Sequence, residues 1–353
     1  MQCRWCGCSA DIIYSLVPGL VHPVLKQSIS ELLKTLSSGR TQLRQVTPLP
    51  LSAEPLVLSR SSRTLLMSIL NVTPDSFSDG GSYSDTSSAV SAALSHIVDG
   101  ADIIDIGGVS TRPGSTHVSE AEELSRIIPV IEQLRKEEGG VNKPITISVD
   151  TYRASVAERA VRAGANIIND ISGGMYDPDM LSTIAKLDVP FVLMHMRGPP
   201  TEVNLAKHQH YEGGDVVSGV RKELAASVRK ALDAGINRWN IILDPGIGFS
   251  KNQEGNLALL RHLPQVTGRQ LPFEQEQEDE DARLLRDFPV LVGVSRKGFL
   301  GKITGKDDSK QREYANAAVH ALAIASGANI IRVHDVQAAR DAARIADAIY
   351  QRS

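Results

Sequence analysis

Eight short apolar runs recur through this chain, and each ends on a residue able to do chemistry. They are Leu65–Asn71, Asp102–Gly107, Ile145–Asp150, Asn166–Asp170, Pro190–His195, Asn240–Asp244, Pro289–Ser295 and Asn329–His334. Continuous Val/Ile/Leu runs are the mark of parallel strands covered on both faces. Between them, amphipathic patterns predict helices over Asp85–Asp99, Ser119–Glu138, Ala154–Ala163, Asp179–Leu187, Gly219–Ala234, Asn256–His262, Arg312–Ser326 and Val336–Tyr350. Ser119 with Glu122 suggests a capping box for the second helix. Strand–helix alternation repeated eight times predicts an α/β fold, a (β/α)8 TIM barrel over residues 63–353. An open doubly wound sheet is the competitor, and the eightfold count disfavours it. A barrel of this kind gathers its strand ends at one mouth, so the pattern proposes a fold and a site together.

Residues 1–62 differ. Lys26–Leu36 suits one short helix, whereas Thr47–Ser62 carries Pro48, Pro50 and Pro55 and reads as a linker. Strand signals begin only at Leu65. Cys3, Cys6 and Cys8 are the only cysteines. Their C-x-x-C-x-C spacing supplies three ligands where a structural zinc site needs four, so a flexible tail is the preferred reading. A body without cysteine fits a reducing compartment. Asp11 precedes the interrupted apolar run Ile12–Val21, which argues against a secretory signal. Arg4 alone supplies base in the first twenty residues. The expected location is cytoplasmic, with mitochondrial as the alternative.

Composition excludes some partners. With a net charge of −3 and 4% aromatic residues, the chain has neither the field nor the stacking platforms for nucleic acid. No apolar stretch is long enough to span a bilayer. The acidic run Glu274–Asp281 is expected to be a solvated insertion on the N-terminal side of the barrel.

Read one at a time, the strand ends divide by chemistry. After the first strand, Asn71 to Gly81 is rich in Gly, Ser and Asp around Phe77; it suits a functional loop or a polar connector. After the second, Gly107-Gly108 precedes Ser110-Thr111-Arg112-Pro113-Gly114. Paired glycines allow close backbone approach, and Ser-Thr-Arg suits an anionic oxygen. Asp150, Asn169 and Asp244 close three further strands. Two carboxylates and an amide suit the donor edge of a flat heterocycle. Capping is the alternative for each alone, above all for Asp150 before its helix. Lys297, Arg332 and His334 follow the last two strands, where barrels frequently bind phosphate. His195 alone reads as a structural histidine.

The motifs MSILNVTPDSFSDGG, DIIDIGGVSTRPGS, ISVDT, IINDISGG, VLMHMRG, LDPGIGF, VGVSRKGFLG and IIRVHD resemble, in order, those of dihydropteroate synthases, a family of the pterin-binding barrels. The resemblance covers residues 65–350. It implies condensation of 6-hydroxymethyl-7,8-dihydropterin diphosphate with p-aminobenzoate, giving 7,8-dihydropteroate and pyrophosphate in folate biosynthesis. By that resemblance Asp150, Asn169, Asp244 and Lys297 hold the pterin edge, with Met194 and Phe249 on its faces and Thr111 nearby. Arg332 and His334 hold the diphosphate. Asn71 shares Mg2+ with phosphate oxygens. Phe77, Thr111, Arg112, Pro113 and Lys297 surround p-aminobenzoate, and Asp79 pairs with Arg112 as the loops order. Asp79, Arg112, Lys297, Arg332 and His334 form the implied catalytic set, sulfonamides the implied inhibitors, and a homodimer the implied assembly.

Two positions depart from the family pattern. Val109 stands where Glu or Gln is usual, and Gly298 where Ser or a larger polar residue is common. Both bear on affinity for p-aminobenzoate or sulfonamides. HPVLKQSISELLKTL followed by LRQVTPLPL resembles the segment joining a pterin pyrophosphokinase to the synthase in multifunctional fungal proteins. No kinase core or aldolase domain precedes it, so both activities are expected to be absent. Two rivals remain: a methyltetrahydrofolate-binding methyltransferase barrel, against which SRK and R-V-H-D argue, and a non-catalytic pterin-binding protein.

Overall fold

The computed structural model describes residues 63–73, 82–109, 118–138, 144–200, 202–203, 205–268 and 279–350. It also describes two short strands, β1 (Gln45–Val46) and β2 (Val57–Leu58). These pair antiparallel, Gln45 opposite Leu58 and Val46 opposite Val57. They fall in the stretch read as tail and linker, where a two-residue ladder is too short to leave a period-two signature. The remainder of residues 1–62 lies outside the described residues.

Eight strands form the barrel: β3 (Leu65–Asn71), β4 (Ile103–Gly107), β5 (Thr146–Asp150), β6 (Ile167–Asp170), β7 (Phe191–Met194), β8 (Ile241–Asp244), β9 (Leu291–Val292) and β10 (Ile330–Val333). Their order is β8-β7-β6-β5-β4-β3-β10-β9, every pairing parallel. A single parallel bridge between Leu243 and Val290 links the two ends, and the Leu243 N–H donates to the Pro289 carbonyl at 2.9 Å. The (β/α)8 barrel is thereby nearly closed, as the eightfold pattern predicts.

Long helices cover the ring: α1 (Ser82–Asp99), α2 (Glu120–Glu137), α3 (Ala154–Ala163), α4 (Met180–Leu187), α5 (Val216–Asp233) and α6 (Gln253–Arg261). Two short ones follow, α7 (Leu263–Val266) and α8 (Glu280–Leu285), then α9 (Gly298–Thr304), α10 (Glu313–Ala325) and α11 (Val336–Ile349). The capping box is half realised. Ser119 Oγ accepts from the Glu122 N–H at 3.2 Å, while the Glu122 carboxylate pairs with Arg126.

The end of the acidic insertion is more ordered than a solvated loop. Asp279 caps α8, accepting from the Ala282 N–H at 2.6 Å. It also pairs with Arg221, and Asp281 with Arg229, at 2.7 Å each, so α8 is tied to α5. Residues 274–278 lie outside the described residues.

The core has two layers, and their phase decides what faces the mouth. Leu65, Met67, Ile103, Ile167, Val192, Ile242, Leu291 and Ile330 form the cluster inside the ring. Their neighbours Leu66, Ile104, Ile168, Phe191, Ile241, Val292 and Ile331 pack outward under the helices. Because side chains alternate along a strand, every second residue from the inner set points inward. That parity reaches Asn71, Asp105, Asp150, Asn169, Met194, Asp244, Ser295, Arg332 and His334. It excludes Asp170 and His195.

Candidate active site at the barrel mouth

Arg332 is the hub of the inward set. Its Nε donates to Asp105 Oδ2 at 2.6 Å and its Nη2 to Asp150 Oδ2 at 2.7 Å. Asn169 Nδ2 is a second donor to the same Asp105 oxygen, at 3.0 Å. Strand register makes this possible. Asn71 lies level with Gly107, Gly107 with Asp150, and Asp150 with Asn169, so four adjacent strands present one rung. A Cβ at Gly107 would stand 3.7 Å from Asn71 Oδ1 and 3.6 Å from Asp150 Cβ, which measures how tightly the rung is drawn. Met194 and Asp244 are level on the next pair of strands.

Capping does not account for Asp150. The first N–H of α3, from Ala154, goes to Asp177 Oδ2 at 2.8 Å instead. Asp244 holds its own turn with one oxygen, Oδ1 accepting from the Gly246 N–H at 2.7 Å. Asp170, of the opposite parity, is wholly structural. It receives the N–H groups of Ser172 and Gly174 and the Ser172 hydroxyl.

Burial sets the charges. It raises the Asp150 carboxyl, and the nearby Arg332 only partly offsets this. Asp244 is pushed up to about 6, again by burial, against the pull of Lys297, Lys251 and Arg332. Burial lowers Lys297 to about 8, with Arg332 adding to the fall. Burial also works against the Arg332 charge, but Asp105 and Asp150 outweigh it and hold the guanidinium above its ordinary value. The mouth therefore offers hydrogen-bond acceptors beside two cations.

Lys297 follows β9 and occupies the N-cap position of α9. Its Nζ lies 3.9 Å from the centre of the Phe249 ring, a cation held over an aromatic face. His334 Nδ1 is 3.0 Å from Ser295 Oγ, and its backbone N–H donates to that oxygen at 3.2 Å. Phe249 ends the turn after β8. Gly246 begins that turn at φ +68°, and a Cβ there would lie 1.9 Å from the His195 carbonyl oxygen, so only glycine fits.

The sequence reading places the glycine pair after β4 against a ligand. For Gly108 the structure gives a different reason: a Cβ would stand 2.9 Å from Ile127 Cγ2 and 3.2 Å from the Glu123 carbonyl oxygen, so this glycine admits α2. Gly298 meets nothing within 4 Å of an added Cβ, so the larger polar residue usual there has room. Val109 is half-buried at the edge of the described residues. Phe77, Asp79, Thr111, Arg112 and Pro113 lie outside the described residues.

His195 belongs to the outward layer, as a structural histidine should. Its Nε2 is 2.9 Å from Glu223 Oε2 on α5, and its Nδ1 is 2.9 Å from Lys251 Nζ. Lys251 and Glu223 escape a reading of strand ends because neither ends a strand. Asp105 lies inside the second apolar run, and its bond to Arg332 spans 227 positions and leaves no local trace.

Among the described residues no cluster of three or more His, Cys, Asp or Glu could hold a metal. Asn71 supplies one neutral oxygen, a hard donor of the type Mg2+ accepts but too few to hold it. A cation here fits only if it brings further oxygens. Among the described residues no helix is long and apolar enough to cross a membrane.

The pterin binding enzyme family model matches residues 67–334. Dihydropteroate synthase from Synechocystis sp. is 43% identical over 311 residues, covering 88% of this chain and 98% of that one. The folic acid synthesis protein of Pneumocystis carinii is 41% identical over 335 residues, 94% of this chain but 42% of that longer protein. Its alignment therefore reaches well into residues 1–62. The structure of Xanthomonas albilineans dihydropteroate synthase with 4-aminobenzoic acid superposes with a TM-score of 0.71 at 39% identity, covering 86% of this chain and 98% of that one. The chain belongs to the pterin-binding enzymes, within the dihydropteroate synthase family.

Proposed function

We propose that this chain joins 6-hydroxymethyl-7,8-dihydropterin diphosphate to p-aminobenzoate, releasing pyrophosphate and forming 7,8-dihydropteroate. One observation carries the reading: Asp150, Asn169 and Asp244 face inward at the mouth while Arg332 and Lys297 stand among them. A reduced pterin presents ring N–H and amino donors along one edge, and two carboxylates with an amide supply the acceptors. Met194 and Phe249 would pack on its faces.

The chemistry follows from charge. The C–O bond to the diphosphate breaks as the reduced pterin donates electrons, leaving a cationic methylene carbon and free pyrophosphate. The arylamine nitrogen of p-aminobenzoate then forms the C–N bond and gives up one proton to solvent. The Asp150 and Asp244 carboxylates stabilise the cation, and Arg332, Lys297 and His334 the leaving group. Asn71 would give Mg2+ one oxygen and the diphosphate the others; bound there, the ion would neutralise charge on the leaving group. Phe77, Thr111, Arg112 and Pro113 would surround p-aminobenzoate, with Asp79 pairing to Arg112. Sulfonamides, which mimic p-aminobenzoate, should compete with it.

Purified protein mixed with the pterin diphosphate, Mg2+ and p-aminobenzoate should release pyrophosphate. Lys297→Ala and Arg332→Ala should each lose most of that rate. No release from the unaltered protein would refute the activity, and wild-type rates in both variants would refute the site.

We also propose a homodimer. Tyr314 and Leu322 on α10, with Ile345 and Ile349 on α11, are exposed apolar side chains on the last two helices. The exposed side of α10 carries Tyr314, Ala318 and Leu322, whereas its buried side includes the polar Asn316 and His320, so the apolar face is turned outward. Sedimentation of Leu322→Glu/Ile345→Glu should show a monomer where the unaltered chain shows a dimer. A monomeric unaltered chain would end this reading.

A further inference from the structure

Behind the mouth lies a polar network that the reaction above does not use. Lys251 is 4% exposed, and its Nζ makes three contacts. It is 2.9 Å from His195 Nδ1, 3.3 Å from the His195 carbonyl oxygen and 2.8 Å from the Phe249 carbonyl oxygen. Three acceptors match the three donors of an ammonium group. An ammonium donating to Nδ1 leaves the imidazole proton on Nε2, aimed at Glu223 Oε2 at 2.9 Å. Glu223 in turn pairs with Arg197, whose guanidinium carbon lies 3.7 Å from the centre of the Tyr211 ring.

The two ends of the lysine clasp matter because of what adjoins them. His195 directly follows Met194, and Phe249 is the other residue assigned to a pterin face. The same turn is locked again one residue on. Ser250, at φ +53°, accepts from the Arg197 N–H at 2.8 Å and donates to the Arg197 carbonyl at 2.9 Å. The strand end bearing Met194 and the turn bearing Phe249 are therefore tied together behind the slot.

We propose that Lys251 is a positioning residue, a clasp that sets the gap between Met194 and Phe249 and so the fit of the flat pterin ring. The proposal rests on the functional reading above. His195 is its neutral acceptor, Glu223 orients His195, and Arg197 holds Glu223 while locking Ser250. Burial lowers His195 to about 4, which keeps the acceptor neutral at ordinary pH. Burial lowers Lys251 to about 7, Asp244 and Glu223 opposing the fall and Arg197 and Lys297 adding to it, so the clasp has all three of its donors below about pH 7. None of these four side chains touches Lys251 as closely as the two carbonyls and the imidazole do.

The test compares the full-length chain with Lys251→Met, which keeps length and loses every donor. Misplacing a binding wall by about 1 Å costs on the order of 100-fold. The KM for the pterin diphosphate should rise about 10- to 100-fold, that for p-aminobenzoate within about threefold. Calorimetric titration with the pterin diphosphate and Mg2+ should show the same loss of affinity. Glu223→Gln, at a half-exposed position, is the second variant should Lys251→Met fail to fold. It should raise the pterin KM in the same direction by a smaller factor. Nitrogen-15 spectra of the unaltered protein at pH 6, where Lys251 is charged and His195 neutral, should show His195 with its proton on Nε2. A lowered melting temperature with an unchanged pterin KM in the variant that folds would make the clasp merely structural and overturn the proposal. A proton on Nδ1 would overturn it as well. Should the unaltered protein neither bind the pterin diphosphate nor release pyrophosphate, it is the functional reading that fails.

Discussion

Arg332→Met removes the guanidinium shared by Asp105 and Asp150 and keeps most of the stem. Asp105 is fully buried and takes its donors from Arg332 and Asn169. Breaking a buried ion pair by deleting one partner costs about 3–5 kcal/mol, because the remaining charge stays desolvated. For a domain of this size that is roughly 5–10 °C in melting temperature. The loss should depend on pH. With Arg332 gone, burial and the neighbouring acids raise the Asp150 carboxyl further above its unfolded value of about 3.9. The folded variant then binds more protons than its unfolded chain above about pH 4, so its stability falls as pH rises through the raised value. Urea unfolding followed by circular dichroism should show the deficit against the unaltered protein smallest near pH 5 and largest near pH 8. Adding Asp150→Asn should recover much of it at pH 8. Turnover should fall about 10²–10³-fold, the usual effect of losing one such donor. A deficit below about 1 kcal/mol, or one flat across that pH range, would refute the idea that Arg332 compensates two buried acids.

Three further outcomes are expected. Affinity for the pterin diphosphate should weaken above about pH 8 as Lys297 loses its proton, measured by titration calorimetry; a Kd constant to pH 9.5 would oppose that role. Asp244→Asn should raise the pterin KM about tenfold while leaving melting temperature at pH 8 unchanged or higher, since it removes a carboxylate that burial disfavours; a marked loss of stability would contradict this. EDTA should abolish turnover yet leave the melting temperature of the substrate-free protein unmoved, because Asn71 alone cannot hold the ion; a fall in melting temperature would point to a site built by the protein itself.

The barrel was legible because its strands are buried on both faces, which turns them into unbroken apolar runs; seven of the eight end within a residue of the observed strands, while Pro289–Ser295 shrinks to the two-residue β9. Parity extends the reading further than position does. Asp244 and His195 both close a run, yet counting by two from Ile242 and Val192 sends Asp244 into the mouth and His195 toward α5. What the sequence does not carry is pairing at a distance. Arg332 reads as a phosphate cation from its place after the eighth run, but its bonds to Asp105 and Asp150 depend on strands 182 or more positions away. The division of the mouth into an acidic and a cationic side is accordingly less sharp than the residue types suggest. Lys251 is the clearest case: a lone lysine in a Gly-rich turn gives no periodic signal, and its role emerges only when the turn folds against β7.

The joined product is the most direct evidence of the reaction. Mass spectrometry of a reaction holding the unaltered protein, the pterin diphosphate, p-aminobenzoate and Mg2+ should show one joined species, dihydropteroate, appearing in step with pyrophosphate and absent when either substrate is left out. Pyrophosphate without the joined species, or neither one, would contradict it.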